Sequence, residues 1–225
     1  MGHFNGFSRQ TVEFFKSLSR NNNKTWFESH RDGYRSHLLE PFQNLVLDLN
    51  EFMYAIDPGF EFSPLINKTI SRIYRDTRFS KDKSPYKTAM WLTYKRTNKE
   101  WMDAPVYFFE IGADLYRYGM GYYSASKATM DRFRAAIDNN QGKFKRLISL
   151  IEKQDIFSVE GEQYKKVLNA ELSTKIRDWY QRKNLYFICN RKIDSRVLSS
   201  RLVDDLAAGF KLLAPFYCFL SDLKK

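Results

Sequence analysis

The side chains best suited to chemistry in this chain lie close together, between Ile70 and Thr88. The segment is rich in basic residues, which are Arg72, Arg75, Arg78, Lys81, Lys83 and Lys87. Two carboxylates, Asp76 and Asp82, are interspersed with them. A solvated run of charges does not require apolar neighbours such as Phe79. The pattern therefore indicates charged groups that the fold holds in place.

Converging cations of this kind suit an anionic ligand. Guanidinium and ammonium groups bind phosphate or carboxylate, and an arginine offers two parallel N–H donors to such a group. Nearby hydroxyl groups add neutral donors. We therefore predict a binding site for an anionic small molecule within this segment. The ligand-binding residues that we predict are Arg72, Arg75, Asp76, Arg78, Ser80, Lys81, Lys83 and Tyr86.

The same residues also fit a purely structural role. If Thr69 to Asp76 is a strand, its side chains alternate between two faces, so Arg72 and Arg75 point in opposite directions. The arginine on the core side then needs a partner, and Asp76 is the natural candidate. A satisfied arginine–aspartate network stabilises a fold without binding a ligand. The sequence leaves both roles open, and only part of the basic set can serve one ligand.

Catalysis and metal binding are less well specified. A metal-dependent phosphoester hydrolase needs carboxylates around its ions. The nearby candidates, which no spacing singles out, are Asp76, Asp82, Glu110 and Asp114. If His30 and His37 share a helix, they lie too far apart to ligate one zinc ion, so we interpret them as surface residues. We predict no metal site and no cofactor, assign no catalytic residues, and leave open whether the chain is an enzyme.

The overall charge offers another class of partner. The 225 residues carry a formal net charge of +11, which favours polyanionic partners such as nucleic acid. Basic residues recur between Lys175 and Arg201, and Trp179, Tyr180 and Tyr186 are interleaved with them. This pattern is found in surfaces that bind nucleic acid, and it is equally typical of a solvated basic face. A nucleic-acid-binding protein without catalysis is therefore an alternative hypothesis.

Cysteine content and hydropathy favour a cytoplasmic location. Cys189 and Cys218 form neither a zinc-binding pair nor a disulfide framework, and so few cysteines fit a reducing compartment. The amino terminus does not resemble a signal peptide. No apolar run approaches the roughly 20 residues that span a bilayer. We expect no membrane partner, and the oligomeric state stays open.

Helices and strands must position the site, and the sequence patterns that predict them change along the chain. Ser8 is predicted to cap a first helix, and Thr25 to Glu28 resembles a capping box for a second. Asn21, Asn22 and Asn23 are predicted to end the first helix, because asparagine tolerates left-handed geometry. Pro41 interrupts that helix or opens a new one. Later helices are predicted to begin at Ser126, to include residues 144–151 and 203–213, and to bend or restart at Pro215.

The middle of the chain has the composition of strands. Residues rich in β-branched and aromatic types are separated by turn-like residues such as Thr97 and Asn98. The predicted strands are Thr69–Tyr74, Tyr86–Tyr94, Val106–Ile111, Leu115–Tyr122 and Leu185–Cys189. We predict one α+β domain over residues 1–225, with an antiparallel sheet of about four to five strands packed against N-terminal and C-terminal helices.

Two further elements are of interest. The stretch from Asn21 to Phe27 is placed to bring amide donors beside the basic segment, although Trp26 is better interpreted as a core aromatic residue. Gly119 and Gly121 lack the third glycine and the strand–loop–helix setting of a dinucleotide site. We expect them to mark a bulge or a close approach of two backbones.

The run from Arg72 to Thr88, RIYRDTRFSKDKSPYKT, resembles the signature of a widespread microbial family called domain of unknown function 2461. The stretch from Asn22 to Phe27, the Gly-x-Gly-Tyr element at Gly119, and the final helix ending near Leu220 are also similar to that family. The resemblance covers nearly the whole chain. It implies an α+β domain and brings no reaction, cofactor or catalytic residues with it.

Overall fold

The structure is a computed structural model that describes residues 2–97 and 101–224. The predicted turn residue Asn98 lies outside these ranges. Short helical segments of other types occur at Arg35–Leu39 (π) and at Trp101–Asp103 and Asp222–Lys224 (3₁₀). The α-helices are α1 (Arg9–Arg20), α2 (Lys24–Ser29), α3 (Arg31–Tyr34), α4 (Glu40–Ile56), α5 (Lys127–Asn139), α6 (Gln141–Glu152), α7 (Thr174–Tyr180) and α8 (Arg201–Ser221).

Within the described residues, five strands form one antiparallel sheet in the order β1-β2-β3-β5-β4. The strands are β1 (Ala89–Tyr94), β2 (Pro105–Gly112), β3 (Leu115–Tyr122), β4 (Ser158–Glu160) and β5 (Tyr186–Lys192). The predicted α+β class is therefore confirmed. The short strand β4 was not predicted, and it pairs with β5 through Val159 opposite Phe187.

The first helices begin where polar side chains satisfy free N–H groups. Ser8 caps α1 and forms a capping box with Thr11, as expected for its position. α2 begins two residues earlier than the Thr25 capping box predicted, because the side chain of Asn23 accepts from the backbone N–H of Trp26. α1 ends before the three asparagines, but Asn21 has a φ of −128° and neither Asn22 nor Asn23 has a positive φ, so the predicted left-handed geometry is wrong.

Pro41 is accommodated by a change of helical type. Proline has no N–H to donate and its ring crowds the carbonyl four residues earlier, which belongs to His37. The π-helical segment Arg35–Leu39 precedes α4, and Pro41 lies in the first turn of α4. The carbonyl of His37 accepts from Thr11 Oγ1 at 2.6 Å, and Thr11 is fully buried. A hydroxyl group from α1 thus satisfies a backbone acceptor beside the proline.

The chain divides into two compact units. The first consists of the described parts of Met1–Tyr94, Phe108–Tyr118 and Asn190–Ala207. The second consists of the described parts of Lys95–Tyr107, Gly119–Cys189 and Ala208–Lys225. The interpretation as one domain stays a prediction.

Each unit has an aromatic core. In the first, the ring of Phe7 lies 5.0 Å from that of Phe42 and is stacked 5.7 Å from that of Phe109. In the second, Trp179 is stacked on Phe216 at 5.2 Å. α8 contains Pro215 without being interrupted, so the predicted restart does not occur.

The two glycines of β3 allow a close backbone approach, as predicted. A Cβ atom on Gly119 would lie 1.9 Å from the carbonyl oxygen of Phe187, and one on Gly121 would lie 2.4 Å from the Cα of Tyr186. Both distances are far inside van der Waals contact, so only glycine fits here. Among the described residues, no helix combines the length and apolar character needed to cross a bilayer.

Candidate functional site

The segment from residue 69 to 75 runs antiparallel to residues 85–93, and all of it belongs to the first unit. Single bridges join Ile70 to Leu92 and Tyr74 to Tyr86. From Ile70 to Tyr74 the chain advances four positions, whereas from Tyr86 to Leu92 it advances six. The register of the pairing therefore shifts by two residues between the bridges, and we call this shift the two-residue offset. The predicted strand Thr69–Tyr74 is therefore wrong: the offset breaks the ladder into isolated bridges, and the regular strand β1 begins only at Ala89.

Side chains still alternate along this extended segment. Arg72, Tyr74 and Asp76 are exposed, whereas Ile73 is buried and the side chain of Arg75 is only 27% exposed. The predicted divergence of Arg72 and Arg75 is therefore observed.

The predicted pairing of Asp76 with the inward-facing arginine is wrong. Asp82 reaches Arg75 instead, because the loop that follows Asp76 folds back and brings Asp82 to the inner face. The hydroxyl of Ser80 also accepts from Arg75 Nη2 at 3.4 Å.

The loop from residue 76 to 84 is held by its own polar groups. The carboxylate of Asp76 accepts three hydrogen bonds from Arg78. Two come from the guanidinium, at 3.0 and 2.7 Å, and one comes from the backbone N–H of Arg78, at 3.2 Å. These hydrogen bonds lower the pKa of Asp76 from 3.8 to about 2. Asp82 caps the far end by accepting from the backbone N–H and the hydroxyl of Ser84, at 2.9 and 2.6 Å. Lys83 Nζ donates to the carbonyl of Thr77 at 2.9 Å.

A groove of about 430 Å³ opens beside the base of this loop. Its walls come from the end of α1 and the segment between α1 and α2, from both sides of the paired segment, from β1 and from β2. The lining includes Asn22, Arg75, Asp82, Lys87, Trp91 and Glu110. We call this feature the loop-base groove.

Lys87 supplies the most unusual charge in the loop-base groove. Its side chain is half-buried, Nζ donates to the carbonyl of Arg72 at 2.7 Å, and it lies 4.3 Å from the centre of the Trp91 ring. Burial lowers the pKa of Lys87, and the neighbouring guanidinium of Arg72 lowers it further. Among the described residues, no carboxylate forms an ion pair with this ammonium group.

The carboxylates that line the groove are already neutralised. Asp82 pairs with Arg75, and hydrogen bonds from Ser84 and Arg75 lower its pKa. Glu110 on β2 accepts two hydrogen bonds from Arg117 on β3, at 2.9 and 3.0 Å. The positive charge of Lys87 is thus left uncompensated at the groove surface, where a ligand can reach it.

The segment after α1 anchors the floor of the groove. Asn22 Nδ2 donates to the carbonyl of Tyr86 at 2.9 Å, while its Oδ1 accepts from the N–H of Tyr86 at 3.0 Å. The side chain of Asn22 therefore pairs with Tyr86 as a neighbouring strand would. Phe27 of α2 is stacked on the ring of Tyr86 at 4.2 Å. The amide contact expected between residues 21–27 and the basic segment is present.

The predicted site residues separate into two groups. Arg75 and Tyr86 line the loop-base groove, and Arg72 lies within electrostatic reach of Lys87. The members that the structure places on the loop or facing solvent are Asp76, Arg78, Ser80, Lys81 and Lys83. The sequence interpretation missed Lys87, Trp91 and Asn22 as groove residues. The spacing of Lys87 and Trp91 on one face of an extended segment is the signal that was available.

The structure gives less support to the hypotheses of a metal-dependent hydrolase and of a nucleic-acid-binding surface between Lys175 and Arg201. Asp76 and Asp82 each bind an arginine, and among residues 2–97 and 101–224 no group of three or more His, Cys, Asp or Glu side chains is arranged to hold a metal ion. In the basic C-terminal region, Trp179 is buried and Tyr180 donates to Asp138 at 2.8 Å. Trp179 therefore belongs to the core and does not offer a ring to a nucleic acid.

Comparison with known proteins gives a family and no assigned activity. A search of curated proteins found no match. Residues 10–219 match the model of a family described as "Conserved hypothetical protein (DUF2461)". This match includes the whole loop-base groove and the paired segment that forms it. The family suspected from the signature is confirmed, and the chain belongs to it.

Proposed function

We propose that the loop-base groove binds a small anion that carries a phosphate or carboxylate group, and that Lys87 is its principal contact. The observation that carries this proposal is a half-buried ammonium group without a carboxylate partner among the described residues. Removing a cation from water costs free energy unless a counter-charge is supplied. An anion in the groove supplies that counter-charge.

Neighbouring donors support the same ligand class. Arg75 lines the groove, and the guanidinium of Arg72 lies close enough to lower the pKa of Lys87. Two nearby cations repel each other, so an anion between them relieves the repulsion. With Asp82 and Glu110 already paired, Lys87 supplies the uncompensated charge of the groove, which suits one anionic group rather than a polyanion.

A thermal-shift experiment tests this proposal. Inorganic phosphate, pyrophosphate, citrate and nucleoside monophosphates are added to the protein and the melting temperature is measured. At a hundred times its dissociation constant, a ligand stabilises the folded state by about 2.7 kcal/mol. For a chain of this size that corresponds to an increase of about 5–10 °C. If none of these anions raises the melting temperature, the proposal is wrong.

A matched pair of variants locates the response. Lys87→Gln keeps a donor for the carbonyl of Arg72 but removes the charge, so it should abolish most of the stabilisation. Lys81→Gln removes an equal charge from an exposed residue that does not line the groove, and it should leave the response intact. Equal losses in the two variants would show that general charge, and not the groove, binds the anion.

We also propose that the protein acts in the cytoplasm. Both Cys189 and Cys218 are free thiols, and Cys218 is exposed. Exposed free thiols are typical of proteins in a reducing compartment. Fractionation of cells with an antibody against the protein tests this, and recovery of the protein in an oxidising compartment would contradict it.

A further inference from the structure

The loop above the groove presents one side chain that neither the fold nor the proposed anion site uses. Phe79 is 94% exposed, which is more than any other large apolar residue among those described. It lies in the turn of residues 77–80, within the loop from residue 76 to 84. A single exposed apolar side chain is common on a protein surface. Phe79 differs because of how it is held and what surrounds it.

The loop fixes the position of Phe79 from both sides. On one side, the backbone N–H of Arg78 donates to Asp76 at 3.2 Å. On the other, the N–H of Ser80 donates to the carbonyl of Thr77 at 3.3 Å and closes a turn around the tip. The ring is therefore presented to solvent by a pre-organised turn, which reduces the entropy lost when a partner binds.

The surroundings of the ring are strongly basic. The residues from Arg72 to Lys87 carry a net charge of +4. Lys81 is exposed and forms no ion pair with any described residue. The guanidinium of Arg78 lies 5.7 Å from the centre of the Phe79 ring. An aromatic ring beside solvated cations matches the recognition of unpaired nucleotides, in which bases stack on the ring and cations contact the phosphates.

The position of Arg78 distinguishes this partner from a lipid surface. The guanidinium donates two hydrogen bonds to the carboxylate of Asp76, so an ion pair and not a lone cation lies beside the ring. If Phe79 inserted into a lipid bilayer, the ion pair of Arg78 and Asp76 would enter the apolar interior of the bilayer with it. Burying charged groups there costs free energy. Stacking of a base on Phe79 does not bury the ion pair, because the base contacts the face of the ring opposite the Arg78 guanidinium.

We propose that Phe79 is a stacking platform for an unpaired base of a single-stranded nucleic acid, and that the exposed ammonium group of Lys81 contacts a neighbouring phosphate. This site is separate from the loop-base groove. It recognises the flat face common to all bases and therefore has little sequence preference.

Fluorescence anisotropy with a labelled oligothymidylate and a labelled oligouridylate tests the proposal. Phe79→Ala should weaken binding by about 5- to 150-fold, as expected for the loss of one stacked base. Phe79→Trp keeps a flat ring and should retain or improve the affinity. Phe79→Leu keeps the apolar character but loses the ring, so it should bind as weakly as Phe79→Ala.

Charge and groove variants complete the experiment. For single strands, each phosphate contact contributes about 0.7 to the slope of log K against log salt, so Lys81→Gln should reduce the slope by about 0.7. Lys87→Gln, which tests the proposed anion groove, should leave the effect of Phe79→Ala unchanged, so the two proposals can fail independently.

Two outcomes would overturn the stacking site. The first is the absence of any salt-sensitive binding to either oligonucleotide. The second is wild-type affinity of Phe79→Leu for the oligonucleotides. Binding of Phe79→Leu to phosphatidylglycerol vesicles, together with no preference of the wild type for oligonucleotides, would show that the loop recognises a lipid surface instead.

Discussion

Asp76 and Arg78 form a closed unit of two side chains and one turn of backbone. Since Asp76 accepts three hydrogen bonds from Arg78, its carboxylate form is stabilised and its pKa falls to about 2. Asp76 is exposed, so solvent screens the interaction and its effect is best followed by titration rather than by stability.

We predict that Asp76 titrates with a pKa of about 2, which carbon-detected NMR of its carboxyl group can measure. A pKa lowered from 3.8 contributes stability above about pH 4, and this contribution is lost as the pH falls through about 2. In Arg78→Gln the pKa should rise toward 3.8, because the side-chain donors are lost. Lys81→Gln should leave it unchanged, and an equal rise in both variants would contradict the assignment to hydrogen bonding.

At the scale of residues, the sequence predicts which residue types occur at the site better than it predicts which side chains bind each other. The alternation of Arg72 and Arg75 follows from local geometry and is observed. The pairing of Arg75 with Asp82 depends on how the loop returns, and the spacing of the residues does not specify this. For the same reason Lys87 was counted among the charges but was not placed in the site. Its burial depends on Trp91 and on the two-residue offset.

At the scale of elements, glycine positions in β3 set how closely two strands approach. Gly119 faces the backbone of Phe187, where a methyl group would lie 1.9 Å from the carbonyl oxygen. Neither backbone can retreat without breaking the pairing of β3 with β5, which are neighbours in the sheet. The sequence predicted this close approach but could not identify the partner strand.

We predict that Gly119→Ala destabilises the protein by about 3 kcal/mol or more, because overpacking against a rigid backbone cannot be relieved by side-chain movement. Urea denaturation and the yield of soluble protein measure this. Gly112→Ala at the end of β2 is the control, since a methyl group there would lie 3.4 Å from its nearest neighbour. Similar stability of the two variants would show that β3 can move away from β5.

Element limits could be predicted where a local signal marks them. Ser126 caps α5 through the N–H of Thr129, and β3 has the predicted limits of Leu115–Tyr122. The strand β4 has only three residues and lacks a period that a sequence could display. α7 was also missed, because its two buried residues, Ile176 and Trp179, lie within a short basic stretch. Such elements are specified by contacts distant in sequence.

At the scale of the whole molecule, the two compact units are not contiguous pieces of chain. The chain passes between them after residues 94, 107, 118, 189 and 207. Tryptophans are divided evenly: Trp26 and Trp91 belong to the first unit, and Trp101 and Trp179 to the second. Fluorescence can therefore follow each unit separately.

We predict that both units unfold at the same urea concentration, because neither can lose its structure without disturbing segments that continue directly into the other. The experiment compares two variants, each with the tryptophans of one unit replaced by phenylalanine, and circular dichroism of each variant serves as the control for folding. Coincident midpoints would support the interpretation as one domain. Two separate midpoints would contradict it.

The two-residue offset in the paired segment has a consequence for how this protein can change during evolution. An even offset keeps odd-numbered residues on one face, so Lys87 and Trp91 stay together although the ladder is interrupted between them. An odd change in length would exchange the faces and turn Leu92 outward. Insertions and deletions near residues 88–90 should therefore be tolerated in pairs and rejected singly, a rule that applies to natural variation and to loop grafting alike.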